Sequence, residues 1–99
     1  MTITKKELAN EIIISVEGKV DSITSLALQE TLIPAVNEYN SVSLDFEGVS
    51  YISSAGFRVL LMAHKTAIGR KCSFAIRHVT EKIRNLFDMT GLSEHLCLD

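Results

Sequence analysis

Two adjacent serines, Ser53 and Ser54, stand where a predicted strand passes into a predicted helix, and Ala55 and Gly56 follow them. The first N–H groups of a helix have no partner within the helix, and the helix dipole adds partial positive charge there. A serine hydroxyl caps these groups, and a phosphate is bound by the same donors. Phosphorylation of either serine would add about −1.5 to −2 charges to a small, neutral surface. The turn therefore either only caps the helix or also carries a phosphorylation switch.

Two charged residues near the starts of the first two predicted helices are candidates for binding a partner. Asp21 closes the stretch Gly18–Asp21 just before the first predicted helix, where it either caps the helix, faces a partner, or does both. Arg58 follows the serines by about one helical turn. It is predicted either to contact a phosphate or a partner's carboxylate, or to be a solvated helix residue.

Catalysis and cofactor binding lack support in the sequence. Ser54 is not in a Gly-x-Ser-x-Gly elbow, and no histidine is placed as its base, so we predict that the chain is not an enzyme. Cys72 and Cys97 form no Cys-x-x-Cys pair and no metal-ligand cluster with the three histidines. No phosphate-binding loop or dinucleotide fingerprint is present either. We therefore expect two structural thiols, no metal and no cofactor.

Composition restricts the partners and the location. The 99 residues fit a single domain, 1–99, and the net charge of −2 argues against a nucleic-acid partner, which requires clustered Lys and Arg. The N-terminus has no apolar signal-peptide region, and the apolar stretches are too short to span a bilayer. We expect a cytoplasmic protein with no membrane insertion.

Hydrophobic periodicity predicts alternating strands and helices. A weak strand covers 2–8, a β-branched strand covers Glu11–Glu17 and ends at Gly18, and alternating residues predict a strand over Ser41–Phe46. Residues 47–50 are predicted as a connection, with 51–52 as a short extension. A short strand over Cys72–Arg77 and a last strand over 95–98 complete the set.

Three helices are predicted between and after these strands. The first begins at Thr24, is capped by Thr24 or Ser22, and is weakened or kinked near its end by Pro34. The second runs from the serine turn to about 68 or 69, with Gly69 as its stop, and the third starts at Thr80 and ends at Gly91. The apolar faces are assigned to Leu26, Leu28, Leu32, Ile33 and Val36; to Phe57, Leu60, Leu61 and His64; and to Ile83, Leu86 and Phe87.

The stretch Leu44–Leu61 resembles the central motif of STAS domains, in which a strand ending in Asp-x-x-x-Val leads to an Asp-Ser-Ser/Thr-Gly turn and an apolar helix. The stretch Gly18–Asp21 resembles the Gly-x-x-Asp turn of the same family. The resemblance implies an α/β fold of the STAS-domain class, a mixed β-sheet with helices packed on one side. It extends along nearly the whole chain, whose length is close to that of the stand-alone anti-sigma factor antagonists.

The resemblance also implies a partner switch. Antagonists of this family bind a GHKL-type serine-kinase anti-sigma factor when unphosphorylated, and this frees the sigma factor. The kinase then phosphorylates a hydroxyl in the helix-start turn, and a PP2C-type phosphatase resets it. The implied partner-binding residues are Asp21, Ser53, Ser54, Ala55, Gly56 and Arg58.

Three positions depart from the family motif. Ser53 stands where the family has Asp, Ala55 where it has the second hydroxyl, and Arg58 where it has glycine. Because some antagonists are phosphorylated at the second hydroxyl, Ser54 is the best remaining acceptor, with Ser53 second. The same departures favour an alternative, an unphosphorylated STAS adaptor subunit of an ABC-type lipid transport complex.

Overall fold

The strands form one four-stranded sheet, and their order in the sheet follows their order along the chain. The computed structural model describes residues 1–91 and Leu96. The first two strands pair antiparallel, and the other neighbours pair parallel, so the sheet is mixed as predicted. The strands are β1 (Thr2–Leu8), β2 (Glu11–Val20), β3 (Ser41–Ile52) and β4 (Ser73–Arg77).

Three helices separate or follow the parallel strands, in the predicted element order. They are α1 (Thr24–Glu38), α2 (Ser54–Arg70) and α3 (Glu81–Thr90). The α3 boundaries confirm the prediction: the Thr80 hydroxyl caps its N-terminus and Gly91 ends it in a left-handed conformation. No helix within residues 1–91 is long and apolar enough to cross a membrane.

The core lies between the helices and one face of the sheet. Ile14, Leu44 and Ile76 are cross-strand neighbours on that face, and all three are fully buried. Each is flanked along its strand by residues that point to the opposite face, where the side chains of β2 and β3 are more polar. Phe57 of α2 meets Phe87 of α3 edge to face, with ring centroids 4.9 Å apart, so the second and third helices share the same core.

Two strands are longer than predicted. Gly18 does not end β2, because the pairing with β3 continues to Val20. Gly18 adopts a φ of +98° at a register shift within this strand. Residues 47–50 are not a connection, since Glu17 pairs with Gly48 and β3 runs on to Ile52. As a result, β2 and β3 end together, and this sets the position of the turns that follow them.

Several helix details also differ from the predictions. Pro34 lies inside α1, which continues beyond it to Glu38. Gly69 lies inside α2, and Lys71 takes the left-handed position at its end. Cys72 precedes β4 and is half-buried. The predicted last strand over 95–98 lies outside the described residues apart from Leu96.

Candidate functional site

The turns that contain Asp21 and the serines lie side by side at one end of the sheet. Val20 and Ile52 are cross-strand partners at the carboxyl ends of β2 and β3. The Ser53 N–H donates a 2.8 Å hydrogen bond to the Val20 carbonyl and ties the two turns together. Carboxyl ends of neighbouring parallel strands are the usual position of binding sites in α/β sheets.

The two serines have different surroundings. Ser53 is half-buried at the N-cap of α2, and its hydroxyl accepts from the Gly56 N–H at 3.4 Å. Ser54 is the first helical residue, and its side chain is exposed. Ser53 therefore caps the helix, and Ser54 is the hydroxyl presented to solvent.

Gly56 faces the sheet, and Ala55 is half-buried. Gly56 is buried, and a Cβ atom on it would lie 2.7 Å from Ile52 Cγ1 and 2.9 Å from Val20 Cγ1. The first turn of α2 thus packs directly on the ends of β2 and β3. Glycine is needed for this close approach, and the predicted partner contact of Gly56 would have to use its backbone.

Arg58 is exposed one helical turn beyond Ser54, and the two residues line the same shallow cavity with Phe57, Leu61 and Thr90. Residues four apart on a helix lie on one face, so the guanidinium can reach the space above the Ser54 hydroxyl. None of the ion pairs among the described residues includes Arg58. The side chain is therefore available to an anionic group.

Asp21 organises the start of α1. Its Oδ1 accepts from the backbone N–H groups of Thr24 at 2.9 Å and Ile23 at 3.0 Å, while the Thr24 hydroxyl donates to the Lys19 carbonyl at 2.8 Å. The hydrogen bonds from Thr24 and then Ile23 hold the pKa of this carboxyl below its usual value. The predicted capping of α1 by Thr24 or Ser22 is wrong, because Ile23 occupies the N-cap position and no side chain caps the helix from there.

An exposed apolar rim borders the serine turn, and sequence reasoning missed it. The prediction that Leu26 lies on the apolar face of α1 is wrong, because its side chain is 60% exposed; Ile23 is 77% exposed. Leu26 and Met62 line a groove between α1 and α2 together with Ala55 and Arg58. The sequence contains a signal for this exposure. Leu26 lies two positions before the buried Leu28, so the two side chains point about 200° apart around the helix.

The remaining candidate residues lie apart from this surface or beside it. Tyr51 is 43% exposed and lines an open cavity with Lys19, Asp21, Ser50 and Lys82. His64 is half-buried in α2. Asp45 points to the sheet face opposite the helices, away from the serine turn.

Comparison with known proteins gives one consistent result. The family model described as "Mlab, STAS domain" matches residues 3–98. The anti-sigma-B factor antagonist of Bacillus subtilis is 27% identical over 89 residues, covering 90% of this chain and 82% of that protein. That of Listeria monocytogenes is 30% identical over 91 residues, covering 91% and 80%.

Solved structures agree with this result at the level of the fold. An anti-sigma factor antagonist from Mycobacterium paratuberculosis superposes with a TM-score of 0.87 at 21% identity, covering 98% of this chain and 83% of that one. With the fold, the central motif and the family match in agreement, this chain belongs to the STAS-domain family.

Proposed function

We propose that this protein is a cytoplasmic, non-enzymatic anti-sigma factor antagonist that binds a GHKL-type serine-kinase anti-sigma factor through the surface around the serine turn. Phosphorylation of Ser54 ends the binding, and a PP2C-type phosphatase restores it. The observation that carries the proposal is the exposed Ser54 hydroxyl at the first position of α2, beside the Asp21 turn. The similarity to the anti-sigma-B factor antagonists of Bacillus subtilis and Listeria monocytogenes supports an anti-sigma factor as the partner.

Ser54 is the proposed acceptor because its neighbours are unsuitable. The Ser53 hydroxyl is half-buried and engaged with the Gly56 N–H, so modification there would disturb the start of α2. Ala55 has no hydroxyl. Ser54 can accept a phosphate without displacing any hydrogen bond described for the cap.

The proposed switch acts through charge and through Arg58. A phosphate on Ser54 would place about −1.5 to −2 charges beside an apolar rim, where burial by a partner becomes costly. Arg58, four residues along the same helix, would then pair with the phosphate by charge-assisted hydrogen bonds. The same guanidinium binds a carboxylate of the partner when Ser54 is unmodified, so phosphorylation both adds a repulsive charge and withdraws an attractive one.

The test is capture of partners from native lysate with wild type, Ser54→Ala and Ser54→Asp, followed by mass spectrometry. We expect wild type and Ser54→Ala to bind a GHKL-type kinase and Ser54→Asp to lose it. Ser73→Asp is the matched control, because Ser73 is exposed at the start of β4, at the opposite end of the sheet. Equal capture of the kinase by wild type and Ser54→Asp would contradict the proposed switch.

A second function is favoured by a specific feature of the turn. Ser53 stands in place of the acidic residue of the family motif, and Ala55 stands in place of its second hydroxyl. Both replacements favour a STAS adaptor subunit of an ABC-type lipid transport complex, a subunit that is not phosphorylated. In that case wild type and Ser54→Asp would both capture the same transporter ATPase. That single result would replace the antagonist proposal with the adaptor.

A further inference from the structure

Three side chains with metal-binding atoms meet on the sheet face opposite the helices, away from the serine turn. Asp45 and Glu47 belong to β3, and His78 directly follows β4. Asp45 is the cross-strand neighbour of Arg77, so the parallel register brings the next residue, His78, beside it. One ligand atom from each of Asp45, Glu47 and His78 lies within 4.8 Å of the others.

The donor types and their spacing fit one divalent ion. His78 Nδ1 lies 3.2 Å from Asp45 Oδ1. Two ligand atoms bound to Zn²⁺ at about 2.0–2.2 Å and at tetrahedral angles lie about 3.3–3.6 Å apart. Imidazole together with carboxylates is a donor set that first-row transition ions accept. A metal ion could therefore join these two side chains with a displacement of a few tenths of an ångström.

A backbone hydrogen bond orients the Asp45 carboxylate, and the His78 side chain stays accessible to solvent. The Glu47 N–H donates to Asp45 Oδ1 at 2.9 Å, which fixes the orientation of that carboxylate. The Asp45 side chain is 25% exposed and that of His78 is 61% exposed. Asp45 and Glu47 line a small cavity together with Ser15 and Glu17, between which the pairing of β2 with β3 shifts register. Irregular pairing of this kind re-aims side chains next to binding sites.

The local charge also favours a cation. Glu17 lines the cavity with Asp45 and Glu47, so three carboxylates surround it. Arg77, the cross-strand neighbour of Asp45, donates from its Nε to Ser43 Oγ at 3.2 Å. The three carboxylates that line the cavity make it attractive to a cation.

We propose that Asp45, Glu47 and His78 form a binding site for one divalent first-row transition-metal ion, such as Zn²⁺. The three protein ligands leave open positions for water. The site links β3 to the residue that follows β4 and is independent of the proposed partner switch.

The test is isothermal titration of the tag-free full chain with ZnCl₂ in a buffer that does not bind metal. We expect one ion per chain and at least about 10-fold weaker binding in both His78→Asn and Glu47→Gln, since even loss of a residue that only supports a metal ligand costs about 10- to 100-fold. Asparagine is chosen at position 78 because it tolerates the φ of +56° found there. His64→Asn, which removes an imidazole elsewhere, should bind like wild type.

A second measurement locates the ion. Sub-stoichiometric Mn²⁺ should broaden the amide signals of Asp45, Glu47 and His78 in ¹H–¹⁵N spectra before other signals. The proposal is overturned if wild type takes up no Zn²⁺, if His78→Asn and Glu47→Gln bind as tightly as wild type, or if broadening centres on another part of the chain, such as the segment with His95 and Cys97. Unchanged circular dichroism of the two variants excludes misfolding as the cause of lost binding.

Discussion

The first turn of α2 packs closely on the sheet at Gly56, whereas Gly69 in its last turn faces open space. We therefore expect a glycine-to-alanine substitution to change the free energy of unfolding in opposite directions at these two positions of the helix. In Gly56→Ala, the new methyl group would lie 2.7 Å from Ile52 Cγ1 and 2.9 Å from Val20 Cγ1. These neighbours are branched close to the backbone and are 2% and 0% exposed, so neither can swing away. The helix start or the strand ends must move instead.

The magnitude follows from two opposing effects. Overpacking of a filled core costs about 1–3 kcal/mol. The higher helix propensity of alanine offsets up to about 1 kcal/mol of that cost. The two effects together span about 0–3 kcal/mol, and we expect Gly56→Ala to lower the free energy of unfolding by about 1.5 kcal/mol. In a domain of this size, each 1 kcal/mol corresponds to about 4–8 °C in Tm.

Gly69→Ala is the matched control. Gly69 lies in the same helix, is exposed, and would have no atom within 4 Å of an added Cβ. Alanine there should raise the free energy of unfolding by up to about 1 kcal/mol. Urea unfolding followed by far-UV circular dichroism measures both variants. A Gly56→Ala variant at least as stable as wild type would refute the close packing of α2 on Val20 and Ile52.

Two further predictions concern the core and the Asp21 turn. Leu60 is fully buried, so Leu60→Ala should lower the free energy of unfolding by about 2–5 kcal/mol, measured by urea titration. A change within about 0.5 kcal/mol would instead place the residue at the surface. The hydrogen bonds from Thr24 and Ile23 lower the pKa of Asp21 in the fold, so its stabilising effect is present above the ordinary pKa of 3.8 and is lost as the pH falls through the lowered value. The stability difference between wild type and Asp21→Asn should therefore shrink between pH 7 and strongly acidic pH, and a constant difference across that range would contradict the role of the ionised carboxylate.

Local signals made most of the fold predictable from the sequence. The alternation over Ser41–Phe46 and the cap and stop residues of α3 depend only on neighbours along the chain, and the structure confirms them. The continuation of β3 through Glu47 and Gly48 could not be predicted in this way. It depends on pairing with Glu17 of another strand, whereas Glu-Gly alone is typical of a turn.

The candidate site was predictable in position and not in detail. The resemblance implies that Asp21 and the serines belong to one partner-binding set, and the paired ends of β2 and β3 bring their two turns side by side. Sequence alone could not assign the cap to Ser53 and the exposed hydroxyl to Ser54, because both are good N-cap residues. The groove that contains Leu26 and Met62 was also missed, since its walls come from two helices whose packing only the structure shows.

The order of the strands has a consequence for how the chain folds. Every strand has its chain neighbour as its sheet neighbour, and the two crossovers, residues 21–40 and 53–72, are of equal length. No strand therefore has to pair with a strand more than one crossover away, which limits the loop-closure entropy that forming the sheet costs.

The same order suits folding during synthesis, which proceeds from the N-terminus. The β1–β2 hairpin can form first, and β3 and then β4 can be added at the free edge without displacing a strand already in place. The serine turn needs the ends of both β2 and β3 and the first turn of α2. A nascent chain therefore carries no finished serine turn until β3 and the first turn of α2 have emerged from the ribosome.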